Sequence, residues 1–209
     1  MPSKNWTKTT IGLFSAIILG TSLVTGESID EGGLKWISGA SSAVIIMLLL
    51  FDKWVWRWPI IHKVSERLGH PVIYGTWKGD IEFDKDANNN PGSIDCYISI
   101  YQTFSTLEIR GYFSTSNSYS LTATIDHPRS TQSRLVYAYR GEAPHGKREA
   151  NRPSDGTAIL DIIGTPVENI SGSYFTDRGG AGRIVLNQHT SKLSESYAQA
   201  KKRKFKKLS

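Results

Sequence analysis

The chain has 209 residues, a formal net charge of +6 and one cysteine, Cys96, which excludes a disulfide framework or a thiolate metal site within one copy. The charge does not make the whole chain a nucleic-acid binder. Over Ser191–Ser209, Lys192, Lys201, Lys202, Arg203, Lys204, Lys206 and Lys207 stand against Glu195 alone and account for all of it, so the preceding residues are neutral on balance.

The first apolar run, Ile11–Val24, reaches about seventeen residues with its flanking threonines, the lower limit for crossing a bilayer. Lys4 and Lys8 before it also suit a secretory signal, but Ser22-Leu23-Val24 lacks the small-residue pair of a cleavage site. The second run, within Leu34–Lys63, has about eighteen mostly apolar residues and ends in Trp54, Trp56 and Trp58 interleaved with Lys53 and Arg57. That is the pattern a membrane-water interface selects. A buried core helix is the competing reading, but Ile45–Phe51 is apolar on every face instead of along one stripe. The expectation is a two-helix transmembrane hairpin over 1–63, with helices at about 10–26 and 34–56. The connector Thr25–Gly33 carries Glu27, Asp30 and Glu31 and no basic residue, whereas Lys4, Lys8, Lys53, Arg57 and Lys63 flank the outer ends. The retention of basic residues inside then puts both termini, and whatever follows the helices, on the cytoplasmic side of the membrane. Gly12, Ser15, Ala16, Gly20 and the run Ser38–Ala43 are small enough for close helix-helix approach.

After a bridge to His70, the chain changes character. Eight runs of β-branched and aromatic residues follow: Val72–Phe83, Ser93–Gln102, Leu107–Thr115, Tyr119–Ile125, Arg134–Arg140, Thr157–Ile163, Ile170–Thr176 and Gly182–Asn187. Stretches rich in Asn, Asp, Gly and Pro separate them. Ile94, Cys96, Ile98 and Ile100 alternate onto one face, as do Leu107, Ile109, Gly111 and Phe113. Eight short strands joined by short connections predict a compact antiparallel up-and-down β-barrel over 71–188, since a sandwich of Greek-key topology needs longer crossings. Residues 189–209 read as a basic tail. Its expected partner is anionic lipid headgroups, with nucleic acid or a solvated end as the other readings.

A membrane hairpin, then a strand opening Gly75-Thr76-Trp77-Lys78-Gly79, then a late strand Gly172-Ser173-Tyr174-Phe175-Thr176-Asp177-Arg178 before Gly179-Gly180-Ala181-Gly182, resembles the CD-NTase-associated transmembrane β-barrel effectors of bacterial CBASS antiphage defence. The resemblance implies a barrel that senses a cyclic dinucleotide made by a partner nucleotidyltransferase. It further implies oligomerisation on binding, disruption of the inner membrane and death of the infected cell.

Gly172, Tyr174, Thr176 and Arg178 are spaced by two and share a face if the strand runs that far. A ring, a hydroxyl and a guanidinium on one face suit a base, a ribose and a phosphate. Arg110, Tyr112, Tyr137, Tyr139 and Arg140 offer further aromatic and cationic groups, and Thr76 and Trp77 complete the candidate ligand set. Trp77 reads equally as core filler. Catalysis has little support, because His62, His70, His127, His145 and His189 form no close ligand pair. The run Asp84, Asp86, Asn88, Asn90 lacks the glycine and closing glutamate of a calcium loop. The expectation is therefore no enzyme, no metal and no cofactor beyond the ligand. A membrane-tethered, lipocalin-like carrier of an apolar ligand is the alternative function, and the lining of the barrel interior separates the two.

Overall fold

A computed structural model describes residues 31–58, 70–83, 91–127, 132–143 and 152–208. The helix expected at about 10–26 lies outside them. The described residues belong to two compact units, one holding residues up to Trp58 together with Thr103–Thr106, the other holding the rest.

In the first unit α1 spans Glu31–Lys53, 23 residues, so it starts and stops about three residues before the expected 34–56. Its end is set locally. Trp54 leaves helical geometry, Val55–Arg57 form one 3₁₀ turn, and Trp58 is extended at φ −63° and ψ 144°, as a residue preceding a proline must be. Side chains of α1 are described at Gly39 and from Ser41 onward, and among the described residues no helix is long and apolar enough to cross a membrane. Only two of the three tryptophans face outward: Trp54 and Trp58 are 58% and 60% exposed, whereas Trp56 is 1% exposed and meets the Phe104 ring edge-on at 6.1 Å. Asp52 caps the Thr103–Thr106 turn. Its carboxylate accepts from Ser105 N–H at 2.8 Å and from the Thr103 hydroxyl at 3.2 Å, and its carbonyl accepts from Phe104 N–H at 3.0 Å.

The second unit is the barrel. Its strands are β1 (Gly75–Phe83), β2 (Gly92–Gln102), β3 (Leu107–Tyr112), β4 (Asn117–Asp126), β5 (Arg134–Glu142), β6 (Ser154–Ile163), β7 (Asn169–Thr176) and β8 (Ala181–Thr190). Each pairs antiparallel with the next, and β8 pairs back onto β1, so the sheet closes and leaves no free edge among the eight. β1 starts at Gly75, later than the expected Val72, where φ is +125° and only glycine is unstrained. The residues before it seal this end of the barrel instead of joining the sheet. Gln102 accepts from Ile73 N–H at 2.8 Å and donates to Pro71 O at 2.9 Å, and Ile73 is fully buried.

Alternation sends Trp77, Ile98, Ile100, Ile109, Leu135, Leu160, Ile170, Ile184 and Leu186 inward to one core. Gly172 lies where β7 runs close to β6, and a Cβ there would strike Ile159 O. The middle of β2, by contrast, is buried on both faces, because residues 191–208 fold back over its outside. Ser196 caps the short helix α2 (Tyr197–Lys201), accepting from Gln199 N–H, and β9 (Lys206–Lys207) pairs with Gln188 and His189 of β8. Tyr197 and Phe205 pack on Tyr97 with ring centroids 5.4 and 5.7 Å away, and Ala200 is buried with Tyr97 and Tyr112. Where the sequence suggested a tail from residue 189, the structure has the end of β8 and a clasp on the barrel wall. The apolar residues Tyr197, Ala200 and Phe205 give it something to bury.

Candidate ligand-binding site

The register divides the ten candidate residues between the two sides of the wall. Tyr137 lies opposite Ala158, which lies opposite Tyr174, and the three point inward with Tyr139 and Thr176, each two residues along. They meet in a cavity of about 180 Å³ at the end where β1, β3, β5 and β7 finish, with Phe83, Phe113, Ser118 and Ser154 completing much of its wall. Among the described residues the opposite end is filled by Ile73, Trp77 and their core neighbours.

Trp77 points inward but belongs to the sealed end. It is 1% exposed, donates its indole N–H to Ile73 O at 2.9 Å and packs on the His189 ring at 4.6 Å. Thr76, the next residue, faces outward beneath the clasp, where its hydroxyl donates to Lys192 O at 2.8 Å and lies 3.0 Å from Ser99 Oγ. Arg110 and Tyr112 are also outside. Arg110 pairs with Glu108 at 2.7 Å and stacks on Tyr101, and Tyr112 is buried against the clasp. Arg140 alternates with Tyr139 and so faces outward too, held by a bidentate pair with Asp155, both bonds 2.7 Å. The expectation that Arg178 shares the face of Tyr174 and Thr176 is corrected. β7 stops at Thr176, whose N–H bonds Gly180 O at 2.8 Å, and Gly179 at φ +75° turns the chain. Arg178 sits in that turn and donates to Pro153 O at 2.6 Å, between the strand ends that carry Thr176 and Ser154. Among the described residues lining the cavity none is charged.

The tyrosines carry the chemistry. Burial, then Tyr174 and Asp177, push the Tyr139 hydroxyl up to about 12, and burial, then Tyr139, push Tyr137 higher still. Both remain neutral O–H donors at ordinary pH. Their ring centroids are 5.8 Å apart at 47°, and such rings offer a stacking surface to a flat heteroaromatic ligand. The residues missed in the sequence, Phe83, Phe113, Ser116, Ser118 and Ser154, stand at strand ends in phase with Tyr139, and that phase was the signal available. Among the described residues no cluster of His, Cys, Asp and Glu forms that would hold a metal ion.

A closed barrel with one aromatic, hydroxyl-lined mouth agrees with comparison against known families. Residues 68–188, more than half of the chain, match the family described as Cap15, cyclic dinucleotide receptor domain. No curated protein matches the chain. The chain therefore belongs to the Cap15 cyclic dinucleotide receptor family of CBASS effectors.

Proposed function

We propose that the chain is a membrane-embedded effector of antiphage signalling, in which a cyclic dinucleotide binds at the open mouth, drives self-association and leads the helices of segment 1–63 to disrupt the inner membrane and kill the infected cell. The observation that carries this reading is the Tyr137, Tyr139, Tyr174, Thr176 mouth within a cyclic dinucleotide receptor domain. Its 180 Å³ is below the roughly 300–1,000 Å³ of pockets that enclose drug-sized ligands. One base therefore enters, and the sugar-phosphate ring rests on the rim, within reach of Arg178. The same volume argues against a lipocalin-like carrier, which needs a wide apolar interior. Membrane insertion is supported by Ile45, Ile46, Met47, Leu49 and Leu50 of α1, all exposed by between 43% and 65%, a wasteful surface in water and a suitable one in lipid. Self-association is supported by Leu121, Ile159 and Phe175, exposed on the outer wall of β4 to β7.

The experiment is co-expression with a cyclic-dinucleotide synthase, reading viability and dye entry. The parent should kill, and Tyr139→Ala and Tyr174→Ala should lose that effect while still reaching the membrane. A harmless parent, or variants that kill as well as it does, would refute the reading.

A further inference from the structure

The clasp that covers β2 presents lysines in one place. Lys201, Lys202, Lys204, Lys206 and Lys207 are all exposed, none is in an ion pair among the described residues, and no acidic residue occurs over 196–208. They are not on a loose end. Tyr197 and Phe205 anchor them on Tyr97, β9 pairs Lys206 and Lys207 with His189 and Gln188, and Leu208 N–H bonds Asn187 O at 3.1 Å. Arg203, the one arginine of the group, is spent inside, donating to Ser194 Oγ at 2.8 Å and to Leu193 O. β9 pairs at the end of β8 beside the start of β1, so Lys206 and Lys207 lie toward the sealed end of the barrel, while Lys201 and Lys202 lie on its outer wall, where Ala200 packs on Tyr97 and Tyr112.

We propose that this clasp is a lysine platform that docks the outer wall of the barrel, over β2 and the end of β8, on an anionic lipid surface and leaves the ligand mouth facing water. It rests on the membrane reading above. Ammonium groups are compact point charges suited to a diffuse headgroup layer. A single-stranded nucleic acid would call for stacking rings beside the charges, and the rings here, Tyr197 and Phe205, are packed inward on Tyr97.

The test uses the full chain reconstituted in vesicles of phosphatidylcholine alone or mixed equally with phosphatidylglycerol. Flotation reports insertion, and mass spectrometry reports acetylation rates of the five lysines against added Nα-acetyl-lysine. In anionic vesicles the lysines should react more slowly by roughly fivefold, the effect of about one charge's worth of surface attraction, and high salt should restore the rate. In a Lys204→Gln, Lys206→Gln, Lys207→Gln variant the dependence on lipid composition should fall at Lys201 and Lys202. Equal rates in the two vesicles, with the chain floating with both, would overturn the platform alone. A chain that floats only with anionic vesicles, its lysines slowed there, would support the platform and overturn the membrane-spanning reading, and floating with neither would overturn both. Slowing by an added oligonucleotide, and not by anionic lipid, would overturn the platform in favour of nucleic acid.

Discussion

Trp77 and Tyr139 show how single residues in this barrel take opposite roles from one alternation. Trp77 fills the sealed end, so Trp77→Ala should cost about 3–5 kcal/mol, the usual loss for a buried large aromatic, and should lower the melting temperature whether or not ligand is present. A variant that melts like the parent would remove Trp77 from the core. Tyr139 sits at the mouth with its hydroxyl pushed up to about 12 from an ordinary value of 10. The unfolded chain ionises first, so stability is untouched below about pH 10 and falls as pH rises toward about 12. Melting curves across that window should show the alkaline loss reduced in Tyr139→Phe, and an identical loss in parent and variant would contradict the burial of that hydroxyl. Arg140 and Thr76 are the immediate neighbours of Tyr139 and Trp77, and because adjacent residues in a strand face opposite ways both bond on the outer side of the wall. Parity was legible in the sequence; which parity faced inward at each strand became plain only with the register.

At the scale of elements, the eight strands were legible because β-branched alternation and turn chemistry agree in nearly every run. Their ends were less so. β7 stops at Thr176 because a glycine with positive φ turns the chain at 179, and nothing in the strand itself announces that, so a spacing of two alone carries Arg178 onto its face. The clasp was legible only as charge. Ser196 caps the short helix in the structure, but what Tyr197 and Phe205 bury is Tyr97, on a strand far earlier in the chain. A chain ending at residue 190 should lose about 1.5–3 kcal/mol for each aromatic uncovered at Tyr97 and Tyr112, read as a lower denaturation midpoint. An unchanged midpoint would mean the clasp contributes nothing to the fold. The Thr103–Thr106 turn between β2 and β3 belongs with α1 and is held by Asp52. Asp52→Ala leaves Ser105 N–H without its acceptor, at about 1.5–3 kcal/mol for a charge-assisted bond. The expected outcome is loss of killing with ligand affinity preserved, measured on the same protein; loss of both together would show that Asp52 serves the binding site instead.

For the whole molecule, closure of β8 on β1 removes every edge of the eight-stranded sheet, and among the described residues Ile73 and Trp77 fill one end while the cavity lies at the other. The sequence could announce a closed barrel through its short connections, but not which end stays open, because that depends on Gln102 holding Pro71 and Ile73 across the far end. The start of β1 and the lysines of β9 lie toward the sealed end and the tyrosines at the other, the polarity that the proposed lipid docking and ligand entry use. The most direct measurement is the thermal shift of the detergent-solubilised full chain against a panel of cyclic dinucleotides. A ligand at about a hundred times its Kd stabilises the folded state by roughly 2.7 kcal/mol. At least one should therefore raise the Tm of the parent and of Arg140→Ala, and should fail to raise that of Tyr139→Ala and Tyr174→Ala. If no cyclic dinucleotide shifts the parent, or if the two tyrosine variants shift as far as it does, the mouth is not the receptor site.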